Sequence, residues 1–140
     1  MNEKAKPGLA ISSVQIGPFC PEQVREYAEA SGDSNPIHLD QAAAVRAGLA
    51  QPIVQGMLIV GTLVRLAEEW CEGADVSTVR STFVRPVAIN EVLRVEGRAV
   101  DTRGSRPANQ HLLRMTVKND QGMVAIIADV EFASFKPDEG

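Results

Sequence analysis

Ile53-Val54-Gln55-Gly56-Met57-Leu58-Ile59-Val60-Gly61-Thr62-Leu63-Val64-Arg65-Leu66-Ala67-Glu68-Glu69-Trp70 is the longest apolar segment of this chain. Its apolar positions run nearly all round until Arg65, which for a helix means burial on most sides rather than one face on water. Gly61 and Thr62 argue mildly against a helix, and a buried strand over residues 53–60 is the competing reading. Length favours the helix.

The residues on either side read differently. Downstream, residues 79–88, 92–102, 112–118 and 123–135 have strand character, separated by Asn90-Glu91, by the polar loop 103–110 and by Asn119-Asp120-Gln121-Gly122. The last two alternate clearly: Leu113, Met115 and Val117 oppose Arg114, Thr116 and Lys118, and Val124, Ile126, Ala128, Val130 and Phe132 oppose Asp129 and Glu131. The turn at 119–122 should join them as a hairpin. Upstream, residues 9–16 are β-prone and close at Gly17-Pro18; Pro21 then opens a short helix over 22–30, and residues 39–47 read as another that ends at Gly48. One largely buried helix, four long antiparallel strands after it and a fifth from the N-terminal side predict an α+β fold. A curved antiparallel sheet wraps around a central helix, the arrangement called a hot dog. Such a sheet has exposed edges that two copies can protect by pairing, so a homodimer is expected.

Composition narrows the function classes. A chain of 140 residues fits one domain over 1–140, with residues 136–140 as a frayed tail. The net charge is −4 and the basic residues are scattered, which predicts neither a nucleic-acid nor a membrane partner. Two cysteines without paired spacing, no apolar leader and no uninterrupted span of membrane length point to the cytoplasm. No zinc-ligand spacing, Gly-rich phosphate loop or G-x-S-x-G elbow is present, so no metal is expected and catalysis falls to ordinary side chains.

Those side chains stand in Ser31-Gly32-Asp33-Ser34-Asn35-Pro36-Ile37-His38. Gly32 frees the backbone ahead of the acid, and Pro36 keeps Asn35 out of the α region, so the chain should bend sharply and let Asp33 and His38 face one cleft. From these eight residues alone the plainer reading is favoured: an Asx turn in which Asp33 and Asn35 accept from nearby backbone N–H groups, with His38 an ordinary surface residue.

The segment Tyr27-Ala28-Glu29-Ala30-Ser31-Gly32-Asp33-Ser34-Asn35-Pro36-Ile37-His38-Leu39-Asp40, followed by Ile53-Val54-Gln55-Gly56-Met57-Leu58 and by Phe83-Val84-Arg85-Pro86-Val87, resembles the MaoC-like, (R)-specific enoyl-CoA hydratase family. The resemblance implies a hot-dog fold and reversible hydration of a trans-2-enoyl thioester to the (R)-3-hydroxyacyl thioester, with Asp33 and His38 as the catalytic pair. It implies no cofactor: coenzyme A or acyl carrier protein enters as the carrier of the substrate. Hydration needs an activated water and a proton for C2, which two positioned groups can supply, with His38 as base and Asp33 as its partner. The enolate charge needs a donor. Gly56, near the start of a buried helix, offers a backbone N–H, although the same glycine could equally serve close packing of helix on sheet. Asn35 and Gln55 complete the expected substrate-binding set.

Two positions depart from the family's pattern. Gln55 stands where a histidine is usual and cannot titrate, and Gly61 replaces a frequent serine, which should widen the space beside the helix and alter the acyl group accepted. They motivate an alternative in which the chain is a non-catalytic subunit of a heteromeric hot-dog dehydratase. An acyl-CoA thioesterase is the other alternative, since fold alone does not decide function. Arg80, Arg85, Arg94, Arg98, Arg103 and Arg106 are candidate contacts for the carrier's phosphates or for an acidic carrier surface.

Overall fold

The computed structural model describes residues 10–71, 75–100 and 111–133. Along the chain come β1 (Ala10–Ile16), α1 (Pro21–Ser31), a 3₁₀ turn (Pro36–His38), α2 (Gln41–Arg46), α3 (Gly56–Trp70), β2 (Val76–Phe83), β3 (Leu93–Val100), β4 (His111–Lys118) and β5 (Val124–Phe132). The strands form one antiparallel sheet in the order β1-β3-β4-β5-β2, which leaves β1 and β2 as edges.

Period-two alternation decides which side of the sheet meets the helix. On β3, Leu93, Val95 and Ala99 are buried while Arg94, Glu96 and Arg98 are exposed; on β5, Ile126, Ala128, Val130 and Phe132 are buried. Ile59, Leu63, Ala67 and Trp70 of α3 join Leu93, Val95 and the four residues of β5 in one core. Each large side chain so enclosed contributes roughly 1.5–3 kcal/mol of burial. The sheet wraps α3, as the sequence predicted, and no helix among the described residues is long and apolar enough to cross a membrane.

Three elements have boundaries that differ clearly from the sequence reading. The helix begins at Gly56, because the preceding residues commit their backbones elsewhere: Ile53 N–H donates to the Ile37 carbonyl (3.2 Å) and Val54 N–H to that of Val87 (2.7 Å). Both earlier readings of the segment therefore hold in part, with extended backbone to Gln55 and helix after it. The strand expected over 79–88 instead runs from Val76 to Phe83. Past Phe83 the N–H groups of Val84 and Arg85 share the Ala125 carbonyl, which breaks the regular ladder, and Ala88 bridges Ile53 instead. The helix expected at 39–47 is present as the shorter α2, which the 3₁₀ turn precedes, with the Asp40 carboxylate accepting from Ala42 N–H (3.3 Å) as its cap. The loop 103–110, the strand ends at 102 and 134–135 and the tail 136–140 lie outside the described residues.

Candidate active site

A relay of short side chains shapes the turn after α1. Gly32 adopts a left-handed φ of 80° and donates to Ala28, ending the helix. Ser31 Oγ donates to the Tyr27 carbonyl (2.6 Å) and accepts from Asp33 N–H (3.1 Å); Asp33 Oδ1 then accepts from Asn35 N–H (3.4 Å), and Asn35 Oδ1 from Ile37 N–H (3.2 Å). The Asx turn expected from the octapeptide is present. It uses only one of the two oxygens of Asp33.

The other oxygen, Oδ2, lies 3.7 Å from His38 Nε2. His38 Nδ1 is 2.8 Å from the Ile53 carbonyl oxygen. A carbonyl only accepts, so Nδ1 carries the hydrogen, and in the neutral form of the ring the Nε2 lone pair is the one that faces Asp33. The imidazole is 9% exposed and the carboxylate 45%. Two acceptors facing each other beyond direct hydrogen-bond range are suited to a shared water that donates one hydrogen to each.

Across the cleft stands the first turn of α3. Leu58 and Ile59 N–H groups return to the Gln55 carbonyl (3.1 and 3.4 Å), and Gln55 supplies no side-chain cap. The N–H groups of Gly56 and Met57 precede the helix's first internal bonds, and they sit at its positive end. Asp33, His38, Gly56 and Met57 line one cleft of about 410 Å³, closed on its far side by the segment from Phe83 to Val87.

The other expected site residues fall outside this lining. Asn35 caps the 3₁₀ turn. Gln55 is 1% exposed and sits behind the cleft, where Nε2 donates to the Val24 carbonyl of α1 (2.9 Å) and Oε1 has no partner among the described residues. Gly61 corrects an expectation about the acyl pocket: it is exposed on α3, a Cβ there would meet nothing within 4 Å, and it does not touch the cleft. Of the four considered arginines among the described residues, only Arg85 lines the cleft, with Nη1 donating to the Val124 carbonyl (2.9 Å); Arg103 and Arg106 lie outside the described residues. Sequence reasoning gave no role to Phe83, Val84 or Pro86. Their signal was the Phe83-Val84-Arg85-Pro86-Val87 run itself, in which three apolar residues stand exposed at a strand end.

Comparison with known proteins bears on the fold and the family. A tomato (Solanum lycopersicum) protein named 3-hydroxyacyl-[acyl-carrier-protein] dehydratase FERN, mitochondrial, is 28% identical over 131 residues, which span 92% of this chain and 78% of the relative. A fatty acid synthase subunit beta of Gibberella zeae is 40% identical over 67 residues, 48% of this chain but only 3% of that much longer protein. Among solved structures, the (R)-hydratase from A. caviae involved in PHA biosynthesis superposes with a TM-score of 0.81 at 22% identity, covering 94% of this chain and 98% of that one. The hot-dog fold is shared. The model of the MaoC like domain matches residues 3–121, and the chain belongs to that family.

Proposed function

We propose that this protein is a hydro-lyase that adds water to trans-2-enoyl thioesters to give (R)-3-hydroxyacyl thioesters, or removes it in reverse. The observation that carries the reading is the pairing of an imidazole fixed through Nδ1 with a carboxylate oxygen 3.7 Å from its Nε2, in one cleft with the uncapped start of α3. His38 Nε2 takes a proton from the shared water as its oxygen bonds to C3. The C2–C3 π electrons move onto the thioester, and the developing enolate oxygen accepts from the Gly56 N–H. The imidazolium passes that proton through Asp33 Oδ2 to C2, so that one water has been added across the double bond and both groups end in the states in which they began. Every step uses groups of the chain and the substrate alone. Coenzyme A and acyl carrier protein both fit as carriers, the second in keeping with the name of the tomato relative. The exposed β2 edge, with Phe83 and Val84 uncovered at its end, supports pairing with a second copy.

The test is loss of the conjugated enoyl absorbance with crotonyl- or octenoyl-CoA. Asp33→Asn and His38→Ala should each lower the rate by roughly 10²–10⁴-fold, the usual contribution of a positioned acid or base. Full activity in both variants overturns the assignment, and release of free thiol in place of hydration identifies a thioesterase.

A further inference from the structure

A methyl group added at Gly56 would run into Phe83, with Cε1 nearest, Cζ at 2.7 Å and Cδ1 at 2.9 Å. The aromatic ring thus rests on the face of the glycine from which a side chain would project. Yet Phe83 is 52% exposed, and it is the last residue of an edge strand, paired on one side only with Ile126 of β5. Neither the core nor a second strand encloses it. The ring is a wall of the cleft that holds Asp33 and His38.

We propose that Phe83 is a specificity-determining residue, an inference that rests on the hydratase reading above: its ring lies against C1 and C2 of the acyl group and excludes substituents at C2. A carbonyl oxygen that reaches the Gly56 N–H brings C1 beside the glycine, and C2 is the next atom. The ring and the bound thioester therefore compete for the volume that a Cβ at position 56 would fill. A linear enoyl group presents flat sp² carbons that slide along an aromatic face. A methyl at C2 adds bulk where the ring leaves least room.

The experiment compares trans-2-butenoyl-CoA with trans-2-methyl-2-butenoyl-CoA in the full chain and in Phe83→Ala and Phe83→Leu. The preference in kcat/KM for the linear substrate should fall by roughly tenfold or more in Phe83→Ala, the low end of what one methyl group decides in a fitted pocket, and by less in Phe83→Leu. The change should appear in KM for the branched substrate, with the pH profile unmoved. An unchanged preference, or equal losses on both substrates, overturns the proposal. Thermal melting reads the contact independently of turnover: Gly56→Ala should cost clearly more in Tm with Phe83 present than in a Phe83→Ala background. Equal costs in the two backgrounds would remove the contact on which the proposal stands. Absence of turnover in the wild-type chain together with the expected melting difference would instead overturn the hydratase reading, and with it the specificity role.

Discussion

Gly97 and Gly61 should respond to the same added methyl group in opposite directions. Gly97 lies buried in β3, where a Cβ would fall 2.7 Å from Cζ3 of Trp70, 3.3 Å from its Cε3 and 3.4 Å from Cδ1 of Ile11. Carbon atoms prefer separations of about 3.5–4.0 Å, so the indole must retreat by about 1 Å. Trp70 cannot swing into solvent to do so, because it is 6% exposed and closes the end of α3 against the sheet. Overpacking of this kind costs about 1–3 kcal/mol, offset by about 0.5–1 kcal/mol from replacing a glycine within a strand. Gly97→Ala should therefore lose between about 0 and about 2.5 kcal/mol, with about 1 kcal/mol at mid-range. Gly61 sits within α3 with nothing inside 4 Å of its Cβ position, so Gly61→Ala should gain about 1 kcal/mol from helix propensity alone. Urea unfolding followed by the fluorescence of the chain's single tryptophan reads both changes as shifts in midpoint at constant slope. A Gly97→Ala protein more stable than the parent, or a destabilised Gly61→Ala, would refute the packing argument. The same Gly61→Ala and Gly61→Ser proteins should keep the parent's preference between short and long acyl chains, since position 61 does not reach the cleft.

Burial pushes the Cys71 thiol up to about 11 from an ordinary 9.0, so the unfolded chain releases this proton first; stability should hold below about pH 9 and fall between about pH 9 and 11, and urea midpoints across that range should lose this component in Cys71→Ala. A Cys71→Ala protein with the same decline as the parent would contradict it. Gln55 leaves one buried amide oxygen unsatisfied while making one hydrogen bond, so Gln55→Leu should fall within about 1 kcal/mol of the parent and Gln55→Glu well below it. Comparable losses in both variants would show that the amide's single bond to Val24 matters more than its orphaned oxygen.

Periodicity made the architecture legible, and tertiary hydrogen bonds hid its boundaries. The alternation of β4 and β5 and the all-round apolar character of α3 are properties of each segment by itself, and they survive in the folded chain. The start of α3 is not such a property. It depends on Ile37 and Val87 accepting from Ile53 and Val54, residues far off in sequence that no local pattern announces. The same holds for the site. Asp33, Asn35 and His38 could be placed on a turn because Gly32 and Pro36 dictate one locally. That Gln55 points toward α1, that Gly61 faces away from the cleft and that Phe83 covers Gly56 all follow from how α3 is rotated against the sheet, which sequence spacing leaves free.

The plain and the chemical readings of the 31–38 turn are one arrangement. Asp33 spends Oδ1 on the Asn35 N–H and keeps Oδ2 for the face of His38; His38 gives Nδ1 to Ile53 and keeps Nε2 for Asp33. Each side chain thus has one atom that fixes it and one left open toward the other. Ile53 extends the logic: its carbonyl holds the imidazole, its N–H is held by Ile37 next to that imidazole, and three residues later the chain enters α3 at Gly56. The spacing between this pair and the helix start is therefore set by a short path of hydrogen bonds through Ile53, with the Val54 N–H tied to Val87 as a second anchor. On the proposed hydratase reading, a cleft built this way keeps its reacting geometry when the acyl end is varied, so that specificity is tuned at walls such as Phe83 without disturbing Asp33 and His38.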